Sequence, residues 1–269
     1  MEETSDLLQV EGLTIQYQSG SSEAPAVNDL SFDMADGEVC GLLGESGCGK
    51  TTLALALLRM LPVSARILRG TIRYRSRNIL QLPEREMRSL RGRHISLIFQ
   101  DPELALNPFM RVGRQIAEVI RAHKPCSSKQ CQDRAISLLE DVQLPDTRIL
   151  SAYPHQLSGG QRQRVVIAQS LAAEPSLLIA DEPTSAVDAT TEAELMRLLR
   201  ALKDRHKLAI LFITHNPILL AGLADRILVM YSGRIVETGD SGQILSSPRR
   251  LHTQRLLQSL PPVPFQSRC

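Results

Sequence analysis

Eight consecutive residues, Gly44-Glu45-Ser46-Gly47-Cys48-Gly49-Lys50-Thr51, fit G-x-x-x-x-G-K-[ST] without a gap. Glycines at these positions let the backbone turn tightly enough for several N–H groups to point at one anion. A helix starting at the end of the loop adds the positive end of its dipole. Lys50 then reaches the β- and γ-phosphates of a nucleotide, and Thr51 offers its hydroxyl to Mg²⁺. The alternative is a glycine-rich turn before a core helix, with Lys50 only solvated. The flanks favour the phosphate cradle. Val39 to Leu43 is a short apolar run suited to a buried strand, and Thr52 to Leu58 is made of helix formers up to Pro62.

A second group of reactive residues lies in the other half of the chain. Leu177 to Ala180 reads as a buried strand running into Asp181-Glu182, two acids that are costly at the end of a core strand unless a cation or a reacting group meets them. Beside a phosphate cradle, Asp181 suits Mg²⁺, directly or through water, and Glu182 suits polarising an attacking water. Leu157-Ser158-Gly159-Gly160-Gln161 opens a helix expected over 162–173; Ser158 is a good N-cap, and Gly159 and Gly160 expose backbone N–H groups, a second anion-binding helix end. Gln100, at the end of the strand-like run 94–99, is placed to reach a bound metal. His215 ends another strand-like run and either meets a γ-phosphate oxygen or is structural. Tyr17 either stacks on a base or simply packs.

The elements that must hold these groups follow from periodicity. Leu8 to Tyr17 alternates apolar and polar residues with one slip near Gly12, and a Ser/Gly/Pro loop over 19–25 leads to a strand over 27–34. Asp36-Gly37 marks a hairpin turn into the strand at Val39. Residues 70–74 are a further strand. Between 101 and 156 five prolines punctuate two helical stretches, near 112–123 and 129–142, so a small helical insertion over about 101–173 is expected. Beyond it come a helix over 192–203, strands over 208–213 and 226–230, a hairpin over 231–239, a short helix over 252–260 and a proline-rich tail over 261–269.

Composition narrows the function classes. The net charge of +2 on 269 residues supplies no basic field for nucleic acid, and 3% aromatic residues without Trp disfavour a stacking platform for single strands. No apolar run reaches the ~18–20 residues of a membrane span, and residues 1–6 lack the basic and apolar regions of a signal peptide, so the chain is expected in the cytosol. The five cysteines, at 40, 48, 126, 131 and 269, show no C-x-x-C spacing and are read as reduced thiols, with no zinc site.

Taken together, these pieces resemble the nucleotide-binding subunit of ATP-binding cassette (ABC) transporters over nearly the whole chain. Residues 44–51 look like Walker A, Leu178 to Asp181 like Walker B with Glu182 as the catalytic glutamate, and Gln100 like the Q-loop residue. Leu157 to Gln161 reproduces the LSGGQ signature, Ser185-Ala186-Val187-Asp188 looks like the D-loop, and His215 like the switch histidine. The resemblance implies an α/β P-loop NTPase core over 1–260, with an antiparallel β edge and the inserted helical subdomain. It also implies ATP and Mg²⁺ as ligands, with Thr51, Gln100 and Asp181 at the metal and Thr52 among the nucleotide contacts, and it makes Tyr17 the adenine-stacking residue. Cassettes of this kind meet head to tail, so that Ser158 to Gln161 of one subunit close over the γ-phosphate held by the other.

Within that superfamily, Phe99-Gln100-Asp101-Pro102, Leu106 to Gly113 and Tyr153 to Ser158 are similar to motifs of peptide and nickel importers. That group implies a second, different cassette chain, two membrane permeases and an extracytoplasmic substrate-binding protein, with this chain at the cytoplasmic face of the membrane. The tail departs from the group: Arg250-Leu251-His252-Thr253 replaces its His-Pro-Tyr-Thr segment, and Cys269 alone cannot build the iron–sulfur cluster that some relatives carry. An exporter ATPase, or a soluble cassette protein acting on DNA or ribosomes, is the alternative. A non-hydrolysing scaffold is disfavoured by the presence of Lys50, Asp181, Glu182 and His215 together.

Overall fold

The computed structural model describes residues 6–18, 24–185 and 187–258. In chain order it begins with strands β1 (Leu8–Tyr17), β2 (Val27–Met34) and β3 (Val39–Leu43), helix α1 (Lys50–Leu57), and strands β4 (Ala65–Tyr74) and β5 (Arg77–Asn78). Helix α2 (Glu84–Leu90), strand β6 (Ile95–Ile98) and helices α3 (Pro102–Ala105), α4 (Val112–His123), α5 (Ser128–Asp141), α6 (Arg148–Ser151) and α7 (Gly159–Leu171) follow. The rest comprises β7 (Leu177–Asp181), α8 (Ala189–His206), β8 (Ala209–Thr214), α9 (Pro217–Leu220), β9 (Arg226–Tyr231), β10 (Arg234–Asp240), α10 (Ser241–Ser246) and α11 (Leu251–Gln258). Residues 19–23 of the loop expected over 19–25, residues 259–260 of the helix expected over 252–260, the tail 261–269 and Ala186 lie outside the described residues.

The chain divides into two compact units, Met1–Leu82 with Leu211–Cys269, and Pro83–Ile210. In the first, an antiparallel sheet runs β2-β1-β4-β5, and a second run of neighbouring strands is β10-β9-β3-β8. The slip expected near Gly12 is real: the pairing of β1 with β2 shifts between Val10 and Leu13, and that with β4 between Glu11 and Thr14. The expected hairpin from β2 into β3 is not formed. Burial alternates along β2, whereas all five residues of β3 are buried, so β2 pairs with β1 while β3 runs parallel to β9, Cys40 opposite Arg226 and Leu43 opposite Val229. The β9–β10 hairpin turns at Ser232 and Gly233, both with positive φ, the backbone of a type I′ turn.

In the second unit β6 and β7 pair in parallel, Ile95 opposite Leu177 and Ile98 opposite Ala180. Helices α4, α5 and α7 pack together, and Ile116, Ile120, Ala135, Leu138, Leu139, Val165 and Val166 on them are buried. Arg164 on α7 is buried in this bundle. It donates to the Val142 carbonyl at 3.1 Å and the Gln143 side chain at 2.9 Å, and pairs with Glu194 at 2.8 Å. A buried guanidinium with all these partners fixes α7 to the end of α5 and to α8.

The expectation of reduced thiols fails at Cys126 and Cys131, which form a disulfide. The helix between them explains the pairing. Ser127 is the N-cap of α5, with its side chain accepting from Gln130 N–H and Gln130 reaching back to Ser127 N–H. Cys126 is therefore the residue before the cap and Cys131 the fourth residue of the helix, the two positions that a hydrophobic staple brings into contact. Cys40 and Cys48 remain free and buried.

Candidate functional site

In the first unit the phosphate loop joins the end of β3 to α1, as its sequence requires. Gly49 is the N-cap of α1 at φ 110°, and a Cβ there would stand 2.2 Å from the Ala26 carbonyl oxygen. A Cβ on Gly44 would stand 2.4 Å from the Met230 carbonyl oxygen. Both contacts are with backbone, which cannot swing aside, so the loop has this course only with glycine at these positions. Cys48 N–H donates to the Glu45 carbonyl, and the Cys48 carbonyl accepts from Gly233 N–H at 3.0 Å, tying the loop to the β9–β10 turn.

Lys50 is only 5% exposed, and its Nζ donates to the Gly44 and Glu45 carbonyls at 2.8 and 2.9 Å. The ammonium is thus folded over the loop that its own helix begins. Thr51 is exposed at the first turn of α1, which carries no acidic residue to compete for an anion. The Thr52 hydroxyl is 3.2 Å from the Tyr17 hydroxyl, so this pair is engaged internally. Tyr17 lines a cavity of about 430 Å³ with Gly47, Cys48, Ala26 and the Ser232–Gly233 turn. Burial pushes the Cys48 thiol up, against the opposing charge of Lys50. The end of β8 joins the loop through Gly44 N–H, which donates to the Thr214 carbonyl at 3.4 Å, and His215 follows it, exposed.

The remaining site residues belong to the second unit. Asp181 ends β7 and is 5% exposed. Glu182 takes a left-handed backbone, φ 46°, a conformation that costs about 1–3 kcal/mol for a residue with a side chain. Pro183 disfavours the right-handed helical alternative for the residue before it, which helps hold Glu182 there. Gln100 Nε2 donates to Glu182 Oε2 at 3.3 Å, so the two residues singled out separately from sequence meet.

Ser158 caps α7 as expected: its Oγ accepts from Gln161 N–H, and Gln161 Oε1 accepts from Ser158 N–H. Gln161 is thereby a capping residue in this chain. Gly159 and Gly160 keep the first helical N–H groups, which have no intrahelical acceptor. The approach at Gly160 is also steric, since a Cβ there would come 2.7 Å from Thr191 Cγ2 at the start of α8. Asp188 caps α8, accepting from Thr190 N–H, Thr191 N–H and the Thr191 hydroxyl; the Thr191 bonds hold its carboxyl below the usual carboxylate range.

Sequence reasoning missed two contributors: Ala26 and Met230 shape the loop with main-chain atoms and have no side-chain signature. Ser185 stood out in sequence only as the first residue of the D-loop-like segment, and its contact was not visible there: its Oγ donates to the Gln100 carbonyl at 3.3 Å. The pieces amount to an anion cradle with a lysine in the first unit, and in the second a strand-end carboxylate held by an amide beside a glycine-opened helix start.

The family model described as ABC transporter matches residues 27–185. The oligopeptide transport ATP-binding protein OppD of Escherichia coli is 43% identical over 256 residues, 95% of this chain and 76% of that protein. OppD of Bacillus subtilis is 42% identical over 95% of this chain and 72% of its own length, and a putative peptide import ATP-binding protein of Brucella abortus 42% over 96% and 78%. Among solved structures, cbiO1 from Clostridium perfringens, described as part of an ABC transporter complex, superposes with a TM-score of 0.78 at 25% identity, over 95% of this chain and all of that one. The ATP-binding cassette MJ0796 bound to ADP and Pi gives 0.78 over 87% and 98% at 24% identity, a likeness of fold. With the matched region running from before the phosphate loop to Ser185, and such identity over nearly its whole length, the chain belongs to the ABC transporter family and is an ABC ATPase.

Proposed function

We propose that this chain powers peptide import across a membrane by binding and hydrolysing Mg-ATP, as one cassette of a pair. The observation that carries the reading is the Gln100–Glu182 contact at 3.3 Å, an amide on a carboxylate at the end of a core strand, in a chain that also holds a complete phosphate loop. Peptide is preferred to nickel because the relatives bear peptide-transport names.

In this reading the α1 N-terminus, the Gly47 and Gly49 backbone and Lys50 hold the phosphates, exchanging the Lys50 contacts with Gly44 and Glu45 for phosphate oxygens. Tyr17 offers its ring to the base in the cavity beside Cys48. The donors proposed for Mg²⁺, the Thr51 hydroxyl, the Asp181 carboxylate and the Gln100 side chain, are the hard oxygen ligands that this ion takes. When bound, it would offset the negative charge of the phosphates. Glu182 takes the proton of the attacking water and His215 meets the γ-phosphate. Ser158 to Gln161 serve the nucleotide of the partner cassette, most simply a different chain.

Residues 1–260 form the cassette, with the helical subdomain over 101–173 facing two permeases that receive cargo from an extracytoplasmic binding protein. Phe109 and Leu104 of that subdomain, 90% and 85% exposed, and Phe99 just before it offer apolar side chains to a membrane subunit. No described helix is long and apolar enough to cross a membrane, so the permeases supply the passage.

The test is ATP hydrolysis by the chain, alone and assembled in lipid with candidate permeases and partner cassette, with and without peptide-loaded binding protein. Stimulation by the loaded binding protein is expected. Activity that ignores every membrane partner but rises with DNA or ribosomes would overturn the reading in favour of the soluble class.

A further inference from the structure

Ile98 of β6 lies opposite Ala180 of β7, and Gln100 and Glu182 each follow that pair by two residues. The parallel register therefore delivers both side chains to the same end of two adjacent strands. Ladder hydrogen bonds stop at the strand ends, and past them the two segments diverge: Gln100 leads into the Asp101 cap of α3, and Glu182 turns through a left-handed backbone into Pro183. Something other than the sheet must hold them at contact distance.

The structure assigns that task to Ser185. Its N–H donates to the Glu182 carbonyl at 3.2 Å, closing the four-residue turn that starts at Glu182. Its Oγ donates to the Gln100 carbonyl at 3.3 Å, while the Gln100 amide donates to the Glu182 carboxylate at 3.3 Å. Gln100 is thus gripped twice, by its main chain from Ser185 and by its side chain from Glu182, and the three contacts close a ring. Inside the turn, Pro183 and Thr184 are buried and give it a fixed base. The hydroxyl is the only member of the ring that a substitution can remove without touching Gln100, Glu182 or the backbone. Ser185 is in this sense a positioning residue for ATP hydrolysis: it acts through the Gln100 main chain to keep the Glu182 carboxylate where the attacking water is to be met.

The inference rests on the proposed role of Glu182, so the experiment includes a control for that role. Steady-state ATP hydrolysis and equilibrium ATP binding are measured for the full chain as wild type, S185A, S185T and E182Q. Losing one neutral hydrogen bond to a carbonyl that water can reach should lower kcat by about five- to tenfold in S185A, with KM and ATP affinity within about twofold. S185T, which keeps a hydroxyl, should return kcat to within about twofold of wild type. E182Q should lose roughly a hundredfold or more while still binding ATP. Wild-type kcat in S185A beside an inactive E182Q would overturn the positioning role and leave that of Glu182 standing. Full activity in E182Q would remove the carboxylate role, and the positioning role with it. A parallel fall of kcat and ATP affinity in S185A, unrelieved in S185T, would make Ser185 a structural residue only.

Discussion

Replacing Gly49 by Ala tests whether the phosphate loop depends on the backbone freedom that its glycines provide. Two costs add. At φ 110° an alanine is strained by about 1–3 kcal/mol. Its Cβ would also lie 2.2 Å from the Ala26 oxygen, which must retreat by 0.8 Å to reach even 3.0 Å. Ala26 is not free to move alone: Asn28 N–H donates to the Gly233 carbonyl at 2.8 Å and Gly233 N–H to the Cys48 carbonyl at 3.0 Å, so the shift loosens bonds worth about 1 kcal/mol each. A total of roughly 3–5 kcal/mol corresponds to about a 150- to 5,000-fold loss of ATP affinity. Gly47 is the internal control. Its φ is 79° but a Cβ would meet nothing within 4 Å, so Gly47→Ala carries strain alone and should cost about fivefold. Equilibrium titration with a fluorescent ATP analogue, with thermal unfolding of the free chain alongside, reads both. The reasoning is refuted if Gly49→Ala binds and melts like wild type, or if Gly47→Ala is as damaging.

Three further outcomes follow from particular contacts. Burial raises the Glu237 carboxyl, but the Thr253 hydroxyl beside it and the bonds from Arg249 and Arg250 N–H, at 2.7 and 3.1 Å, more than reverse this and hold it below the usual carboxylate range. Its stabilisation is therefore present above the unfolded carboxylate pKa and lost as pH falls through the native one. Glu237→Gln should lower stability by about 1–2 kcal/mol at pH 7, and the gap in melting temperature should close on acidification; a pH-independent gap would contradict this. Reducing the Cys126–Cys131 bond, or Cys131→Ala, opens a short loop worth about 2 kcal/mol, so melting with and without a reductant should differ by several degrees in wild type and not in the variant. With its thiol buried and pushed up, Cys48 should react slowly with iodoacetamide near neutral pH and faster as pH rises, and the labelled chain should lose ATP binding. A fully labelled chain that binds ATP normally would displace Cys48 from the nucleotide site.

Much of the candidate site was legible because its signals are local. A phosphate loop is a run of backbone conformations fixed by where glycines stand, so eight residues between a strand and a helix specify it. Ser158 could be read as a helix cap for the same reason, its partner lying three residues away. Amphipathic periodicity placed β1, α4 and α5 within a residue or two. The first half of β4 escaped because Arg66 and Arg69 interrupt the apolar alternation that marks a half-buried strand. The helices α2, α9 and α10 are too short to show a period.

What only the tertiary structure decided involves atoms distant in sequence or without a side-chain signature. The Asp36-Gly37 turn was visible, but not that the strands around it part company; burial on one face or on both settles that, and burial is a property of the assembled chain. Cys126 and Cys131 lacked any familiar spacing, yet the first turn of a capped helix brings the two positions together. The walls of the cradle, the carbonyls of Ala26 and Met230, belong to residues whose identity says nothing about where their oxygens point. Gln100 and Glu182 each stood out as a polar residue at the end of an apolar run. That they touch depends on the parallel register of β6 and β7, and that Ser185 secures them depends on a turn closing over a neighbouring strand. Sequence determined which groups were available for chemistry, because residue type and local backbone sterics are written along the chain; their juxtaposition waited on strand order and register, which arise only when distant segments bury their apolar faces together.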